Sequence, residues 1–382
     1  MKIVVDCMIE TMCRCFFLLW LLAAAPGFSQ SPRWSESQAK EWYAQQPWLV
    51  GSNYVPSTSI NQLEMWQAET FDPKRIDLEL GWAEDLGMNT MRVFLHDLPW
   101  QQDAAGFKMR IDTFLTIAAK HHIRPMLVLF DSVWDPNPRL GPQRAPRAGV
   151  HNSGWVQSPG AAALSDSKEY PRLEEYVKGV VGAFAKDDRV LAWDVWNEPD
   201  NLNSGSYAKE DPRNKAALVK VLLPKVFLWA REGGPSQPLT CGLWKDHPPG
   251  KFSPMEKIQT KFSDVISFHN YSAGVQFKRQ VMILQSLGRP ILCTEYMARA
   301  RGSTFETTLP IARDLHVAAY NWGFVSGKTQ TILPWDSWRK PYVDRQPAVW
   351  FHDIFYPDGR PYKQAEADFI RTMTSHPAAE GR

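Results

Sequence analysis

Two glutamates stand where proton transfer and nucleophilic attack could be done together. Glu198 belongs to the run Ala192-Trp-Asp-Val-Trp-Asn-Glu-Pro199, and Glu295 to Ile291-Leu-Cys-Thr-Glu-Tyr296. Each is a carboxyl at the end of an apolar segment, where burial disfavours an uncompensated charge. An ion pair with a nearby arginine would account for either one alone. Two of them at the ends of parallel strands point to a pair facing across a cleft. Such a pair suits glycosidic chemistry: one acid protonates the leaving oxygen, and the other attacks the anomeric carbon or activates water. Other chemistries lack their residues. The nine histidines show no His-x-x-x-His pair, and no Cys-x-x-Cys occurs, so no metal is expected. Neither a Gly-x-Ser-x-Gly elbow nor a Gly-x-Gly-x-x-Gly loop is present. Acid–base chemistry of this kind needs no cofactor.

The elements that must position these residues follow from periodicity. Eight short apolar runs recur: Trp48–Tyr54, Asn89–Leu95, Arg124–Phe130, Val190–Trp196, Leu239–Leu243, Val265–His269, Pro290–Thr294 and Thr331–Trp335. Strands this apolar on both faces belong in a parallel sheet covered by helices. Segments of helical period lie between them. Asp72-Pro73 starts one, with Ile76, Leu80, Ala83 and Leu86 on one face and Gly87 as its stop. Others are expected over Arg110–His122, Tyr170–Phe184, Lys215–Arg231, Phe277–Leu287, Phe305–Trp322 and Pro347–Phe355, with a short piece at Met255–Lys261. The alternation predicts a single-domain (β/α)8 TIM barrel, whose sites form at the C-terminal ends of the strands. One stretch breaks the rhythm. Asp131 to Glu169 carries Pro136, Pro138, Pro142, Pro146 and Pro159 and little periodicity. A loop that long is usually functional, and its Trp134, His151, Asn152 and Trp155 are expected to wall the cleft.

Asn197-Glu198-Pro199 on the fourth strand and Glu295 on the seventh resemble the retaining glycoside hydrolases of clan A. The nearest group is glycoside hydrolase family 5, the cellulase and mannanase family. The resemblance implies Glu198 as general acid/base, Glu295 as nucleophile, and Asn197 bonded to the sugar 2-hydroxyl. Arg92, in Asn89-Thr-Met-Arg-Val-Phe94, looks like the family's strand-two arginine, which would hold Glu295 ionised. His269 and Tyr271, in Ser267-Phe-His-Asn-Tyr271, resemble the pair that orients the two acids. Trp335, at the end of the expected eighth strand, looks like the sugar platform. Where many relatives carry a histidine after strand three, this chain has Leu129-Phe130-Asp131, and Asp131 is expected to bind sugar in its place. Asn53 and Tyr54, Glu64 and Trp66, and His96 and Asp97 could add contacts or serve the surface alone.

Composition bounds the partners. With 44% hydrophobic and 22% charged residues the chain is globular, and 43 basic against 41 acidic residues leave a net charge of +2. No polybasic run is present, which disfavours nucleic acid. The 17 tryptophans exceed what a core needs and suit flat ligands. Phe16–Ala25 is an apolar run too short to span a bilayer, followed by small residues, as in a cleavable signal peptide. Residues 1–29 are therefore expected to be a leader, with Met12 as a candidate true start because Asp6 and Glu10 precede it. Residues 30–382 would form the catalytic domain, an exported monomer without membrane insertion, acting on a β-linked polysaccharide or oligosaccharide. Cys241 and Cys293 are expected as core thiols. A carbohydrate-binding barrel with impaired chemistry, or a barrel lyase or aldolase, are the rival functions. The second lacks a lysine at a strand end.

Overall fold

Strands buried on both faces hold together only if something covers each face. The computed structural model describes residues 32–375, so the leader and the Met12 start lie outside the described residues. Eight strands form one parallel sheet: β1 (Val50–Tyr54), β2 (Thr90–Phe94), β3 (Met126–Val128), β4 (Ala192–Asp194), β5 (Leu239–Thr240), β6 (Ile266–His269), β7 (Ile291–Tyr296) and β8 (Ala318–Asn321). Every residue in them is buried. They follow in sequence order around the sheet, with β8 paired to β1. Between β5 and β6 the wall is completed by Asp264 N–H donating to the Leu239 carbonyl (2.8 Å) and His269 N–H to that of Leu243 (2.9 Å). The result is a (β/α)8 TIM barrel.

The two ends of the barrel differ. At the N-terminal end the helix Glu36–Ala44, capped by the Ser35 hydroxyl, packs Ala39 and Tyr43 with Leu49, Met126, Leu191 and Leu292. That end is plugged with hydrocarbon. Higher in the barrel the lining turns polar: Thr90 Oγ1 meets Tyr320 OH at 3.0 Å, and Thr240 Oγ1 meets Ser267 Oγ at 2.7 Å. The open end is left for charged groups.

Seven strands lie where the apolar runs placed them, and the eighth does not. Thr331–Trp335 is a turn leading into a short 3-10 helix, Trp335–Trp338. The strand is Ala318–Asn321, inside the segment that reads as one long helix. That helix stops at Asp314, and His316 has φ +50°, a left-handed conformation that ends helical continuation. Pro347–Phe355 forms no helix, and the last helix is Gln364–Ser375, which buries Ala367, Ile370 and Met373. No helix among the described residues is long and apolar enough to cross a membrane. Cys241 and Cys293 are buried free thiols.

Candidate active site

Arg92 organises the open end. It is fully buried on β2, and its cost of desolvation is met by four side chains. Nη1 donates to Glu295 Oε1 and to Asn53 Oδ1, both at 2.9 Å. Nη2 donates to Asp194 Oδ2 (2.8 Å) and Asn197 Oδ1 (2.7 Å), and Nε also reaches Asp194. One guanidinium thereby ties the ends of β1, β2, β4 and β7 into a fixed arrangement, using the planar fork that lysine lacks.

Glu198 sits just beyond β4 with φ +43°, a left-handed conformation that a non-glycine residue keeps only under constraint. Its Oε1 lies 3.0 Å from His269 Nδ1, and its Oε2 accepts from Asn201 Nδ2 at 2.6 Å. Burial pushes its pKa up to about 7, with the Asn201 bond and Arg92 opposing. Glu295 is raised as well by burial, but Arg92 and the Tyr271 hydroxyl, which donates to Oε2 at 2.7 Å, work against that rise. The two carboxyls thus sit in unlike settings. Glu198 meets neutral donors, whereas Glu295 meets a guanidinium and a phenol.

His269 joins them. Nδ1 is also 3.4 Å from Glu295 Oε2, so the geometry assigns the ring proton to Nδ1. Nε2 is buried without a hydrogen-bond partner, so an imidazolium would bury an unsatisfied N–H there. Burial accordingly lowers the His269 pKa to about 4, and the ring is neutral. One donor atom each from Glu198, His269 and Glu295 lies within 4.8 Å of the others. A cation held there would share Glu295 with a guanidinium 2.9 Å away, so this donor set suits a proton more than a metal.

The three groups line a cleft of about 400 Å³, whose walls include Trp134, Trp244, Trp322 and Trp335. Of the residues singled out from sequence, Glu198, Glu295, Asn197, His269, Tyr271, Trp134 and Trp335 meet in this cleft. Trp335 does so from the loop after β8, not from a strand end, and meets Tyr271 edge-on with ring centroids 5.0 Å apart.

Two expected sugar contacts, Asn53 and Asp131, lie behind the cleft wall with Arg92 instead. Arg92 and Asn53 are occupied with each other, and Asn53 Nδ2 holds the carbonyls of Thr294 and Asn321. Asp131 is 1% exposed: its carboxylate accepts from Asn197, Trp155, Gln62 and the Val133 N–H. It braces Asn197 from below, and Trp155 packs on Phe94 and Trp322 as its roof. His151 lines the cleft, whereas Asn152 lines a separate, smaller cavity. His96 caps the helix Asp97–Gln102, Asp97 pairs with Arg172, Glu64 with Lys328, and Tyr54 and Trp66 are core residues. None of these lines the cleft.

Sequence reasoning missed Trp322, Asn201 and Asp194. Trp322 directly follows β8, so placing that strand too late moved the platform expectation onto Trp335. Asn201 stands three residues after Glu198 on the same turn, a spacing that was available to read. Asp194 looked like one more strand residue until its guanidinium partner was placed.

The sequence matches no family model, and no curated protein matches it. Solved structures do match. The chain is similar to a GH5_18 variant from Streptomyces cattleya in complex with Manβ1-4GlcNAc, at 14% identity and a TM-score of 0.57, over 88% of this chain and 83% of that one. It is also similar to the exo-β-1,4-mannosidase of Opitutaceae bacterium strain TAV5, at 18% identity and a TM-score of 0.55, over 85% of this chain and 58% of that one. A third match is the endo-1,4-β-mannanase of Rhizomucor miehei, at 14% identity and a TM-score of 0.55, over 86% and 95% of the two chains. At these identities the likeness is one of fold: the chain has the (β/α)8 barrel of these carbohydrate-cleaving neighbours.

Proposed function

We propose that the chain is a retaining β-glycoside hydrolase that cleaves β-linked oligosaccharides or polysaccharides by double displacement through Glu198 and Glu295. The observation that carries this reading is the carboxyl pair at the ends of β4 and β7. Its nearest oxygens lie within 4.8 Å, and its members have different partners. Carboxyl oxygens no more than 4.8 Å apart leave no room for a water between the second carboxylate and the sugar, which favours direct attack over inversion.

In the first step Glu295 attacks the anomeric carbon while Glu198 gives its proton to the departing oxygen. Arg92 keeps Glu295 ionised for the attack, and the Tyr271 hydroxyl fixes which lone pair is free. Glu198 has the proton to give because burial holds its pKa up to about 7. In the second step the ionised Glu198 takes a proton from water, which releases the sugar from Glu295. Neutral His269 keeps the two acids apart in orientation without adding a charge. The Asn197 amide, braced by Asp131 through one N–H, keeps a second N–H for the sugar. Trp322, the residue that follows β8, takes the platform role expected of Trp335.

The apolar leader supports export, the setting in which polymeric sugars are met. The neighbours named as mannanases and mannosidase make β-1,4-mannosides the first substrates to assay. The test is hydrolysis of aryl β-glycosides and β-linked polysaccharides, with the first-formed anomer read by NMR. Retention supports the proposal. Inversion would remove Glu295 as nucleophile, and inactivity across the panel would favour the binding-barrel reading.

A further inference from the structure

The N-terminal end of the barrel carries a surplus of positive charge. A cavity of about 230 Å³ opens there, beside the first residue of β6, and its wall includes Arg33, Glu36, Lys257, Lys261 and Arg289. Three separate parts of the chain supply these side chains. Arg33 and Glu36 flank the start of the helix that plugs this end. Lys257 and Lys261 lie one turn apart on the helix Pro254–Phe262, and Arg289 directly precedes the Pro290 that leads into β7. Four cations and one carboxylate leave this wall at +3, whereas the whole chain carries only +2.

The buried acid beside them is already claimed. Asp264 Oδ1 accepts from the Trp34 N–H (2.8 Å) and Arg231 Nη2 (2.9 Å). Its Oδ2 accepts from the Leu239 N–H (2.8 Å) and Arg231 Nη1 (3.2 Å). The two arginines of the cavity are left with neutral acceptors. Arg33 donates to the carbonyls of Ser263 and Thr260 at 2.7 and 2.8 Å, and Arg289 to those of Asp264 and Trp34 at 2.7 and 2.9 Å. A carbonyl orients a guanidinium without cancelling its charge. Arg289 is only 9% exposed, so its cation is held away from water with no carboxylate bonded to it. Burial, and next the charge of Arg289, push the Arg33 pKa down to about 10. Cations gathered out of water without counter-charge are costly to keep. Donors also remain over. Each guanidinium uses two of its five N–H bonds, and neither lysine ammonium makes a hydrogen bond or ion pair within the described residues. Glu36 is itself exposed and lies 3.9 Å from Lys40.

We propose that this cavity is a binding site for a phosphate group, either the free ion or a phosphate carried on a sugar. A dianion offsets most of the surplus, whereas a single carboxylate leaves the larger part of it in place. Two guanidiniums already oriented by carbonyls, and two mobile ammonium groups, can reach several phosphate oxygens at once. Ordinary small-molecule clefts hold roughly 300–1,000 Å³. This cavity is smaller, which suits a compact anion. It lies at the opposite end of the barrel from Glu198 and Glu295, so it rests on no part of the glycosidase reading.

The experiment is a calorimetric titration of the full chain with inorganic phosphate at fixed ionic strength. One site should appear, and phosphate should raise the melting temperature above its value in chloride, because a ligand of the folded state stabilises it. Lys257→Gln combined with Lys261→Gln changes two exposed side chains and should melt like the wild type in chloride. That variant should bind phosphate about tenfold more weakly, the usual strength of two exposed ion pairs. A parallel titration with mannose 6-phosphate separates the two sources. Tighter binding of the ester would assign a carried phosphate, and tighter binding of the ion would assign the free one. Three results would each overturn the proposal: no heat and no melting shift with either probe, acetate bound as tightly as phosphate, or a double variant that binds like the wild type.

Discussion

Glu198 and Asp131 are alike by several local measures. Each follows the end of a strand, β4 or β3, and burial pushes each pKa up to about 7. Each accepts a hydrogen bond from an asparagine amide, Asn201 or Asn197. They differ in what lies above them. Glu198 faces the cleft with its side chain 13% exposed, whereas Asp131 is roofed by the Trp155 indole at 2.6 Å. A raised pKa marks a carboxyl whose charge is expensive. Access to a reacting atom marks one that can use its proton. Asp131 has the first property only, and its work is to hold Asn197.

The largest test of that contrast is chemical. Glu198→Ala should lower hydrolysis of sugars with poor leaving groups by about 10²–10⁴-fold, the usual worth of a general acid. Activated aryl leaving groups should suffer least in the first step, and added azide should restore turnover and yield a β-glycosyl azide. Glu295→Ala should be inactive on every substrate, with any azide product of α configuration. Exchanged rescue patterns would reverse the two roles. Asp131→Asn should show no azide rescue at all.

Next in size is the anchor beneath both carboxyls. Arg92→Met leaves Asp194 and Glu295 buried without their cation, a loss of about 3–5 kcal/mol when one partner of a buried pair is removed. Denaturant unfolding reads it. A loss under about 1 kcal/mol, the range of exposed pairs, would show that the arginine is not the tie that the geometry describes.

Much of this was legible in the sequence, because strand ends on a barrel converge whatever lies between them. Glu198, His269, Tyr271 and Glu295 come together from separations of up to 97 positions, and the period of apolar runs is enough to foresee that. Depth was not legible. Asn53, Arg92 and Asp131 stand at the same kinds of strand end, and only packing decides which side chains a tryptophan covers. β8 escaped notice because Ala318-Ala319 adds little to an apolar count, and the residues before it continue a helical pattern. The Asp131–Glu169 loop reaches the cleft through Trp134 and His151, which line it. Its Trp155 turned inward because Asp131 needed a donor there.

The polar surroundings of the two carboxyls give a smaller, stability-level contrast. All four partners of Asp131 are donors: Asn197 Nδ2, Trp155 Nε1, Gln62 Nε2 and the Val133 N–H. An amide at that position must turn an NH₂ toward another donor. Above about pH 7, where the carboxyl is ionised, Asp131→Asn should therefore destabilise the fold by about 1–3 kcal/mol, the cost of an unsatisfied buried group. Glu198 is less crowded, so Glu198→Gln should cost less. Equal melting temperatures for Asp131→Asn and the wild type above that pH would sink the bracing role.

The finest distinction is in pH. Between about pH 4 and 7 a carboxyl raised like these keeps its proton in the folded chain, after an unfolded one has lost it. The folded state then binds more protons, so stability falls as pH rises through that window. Both Glu198 and Asp131 contribute to that slope, but only Glu198 should appear in kinetics. Loss of its proton sets the alkaline limb of kcat/KM near pH 7. Asn201 donates to Glu198 and favours its ionised form, so Asn201→Ala should move that limb upward. Asp131→Asn should flatten the stability slope and leave the limb where it was. A limb that moves with Asp131→Asn and ignores Asn201→Ala would assign the kinetic proton to the covered carboxyl and undo the comparison. Because the two readouts come from one set of variants, unfolding curves and pH–rate profiles measured side by side are enough to separate a carboxyl that stores a proton from one that delivers it.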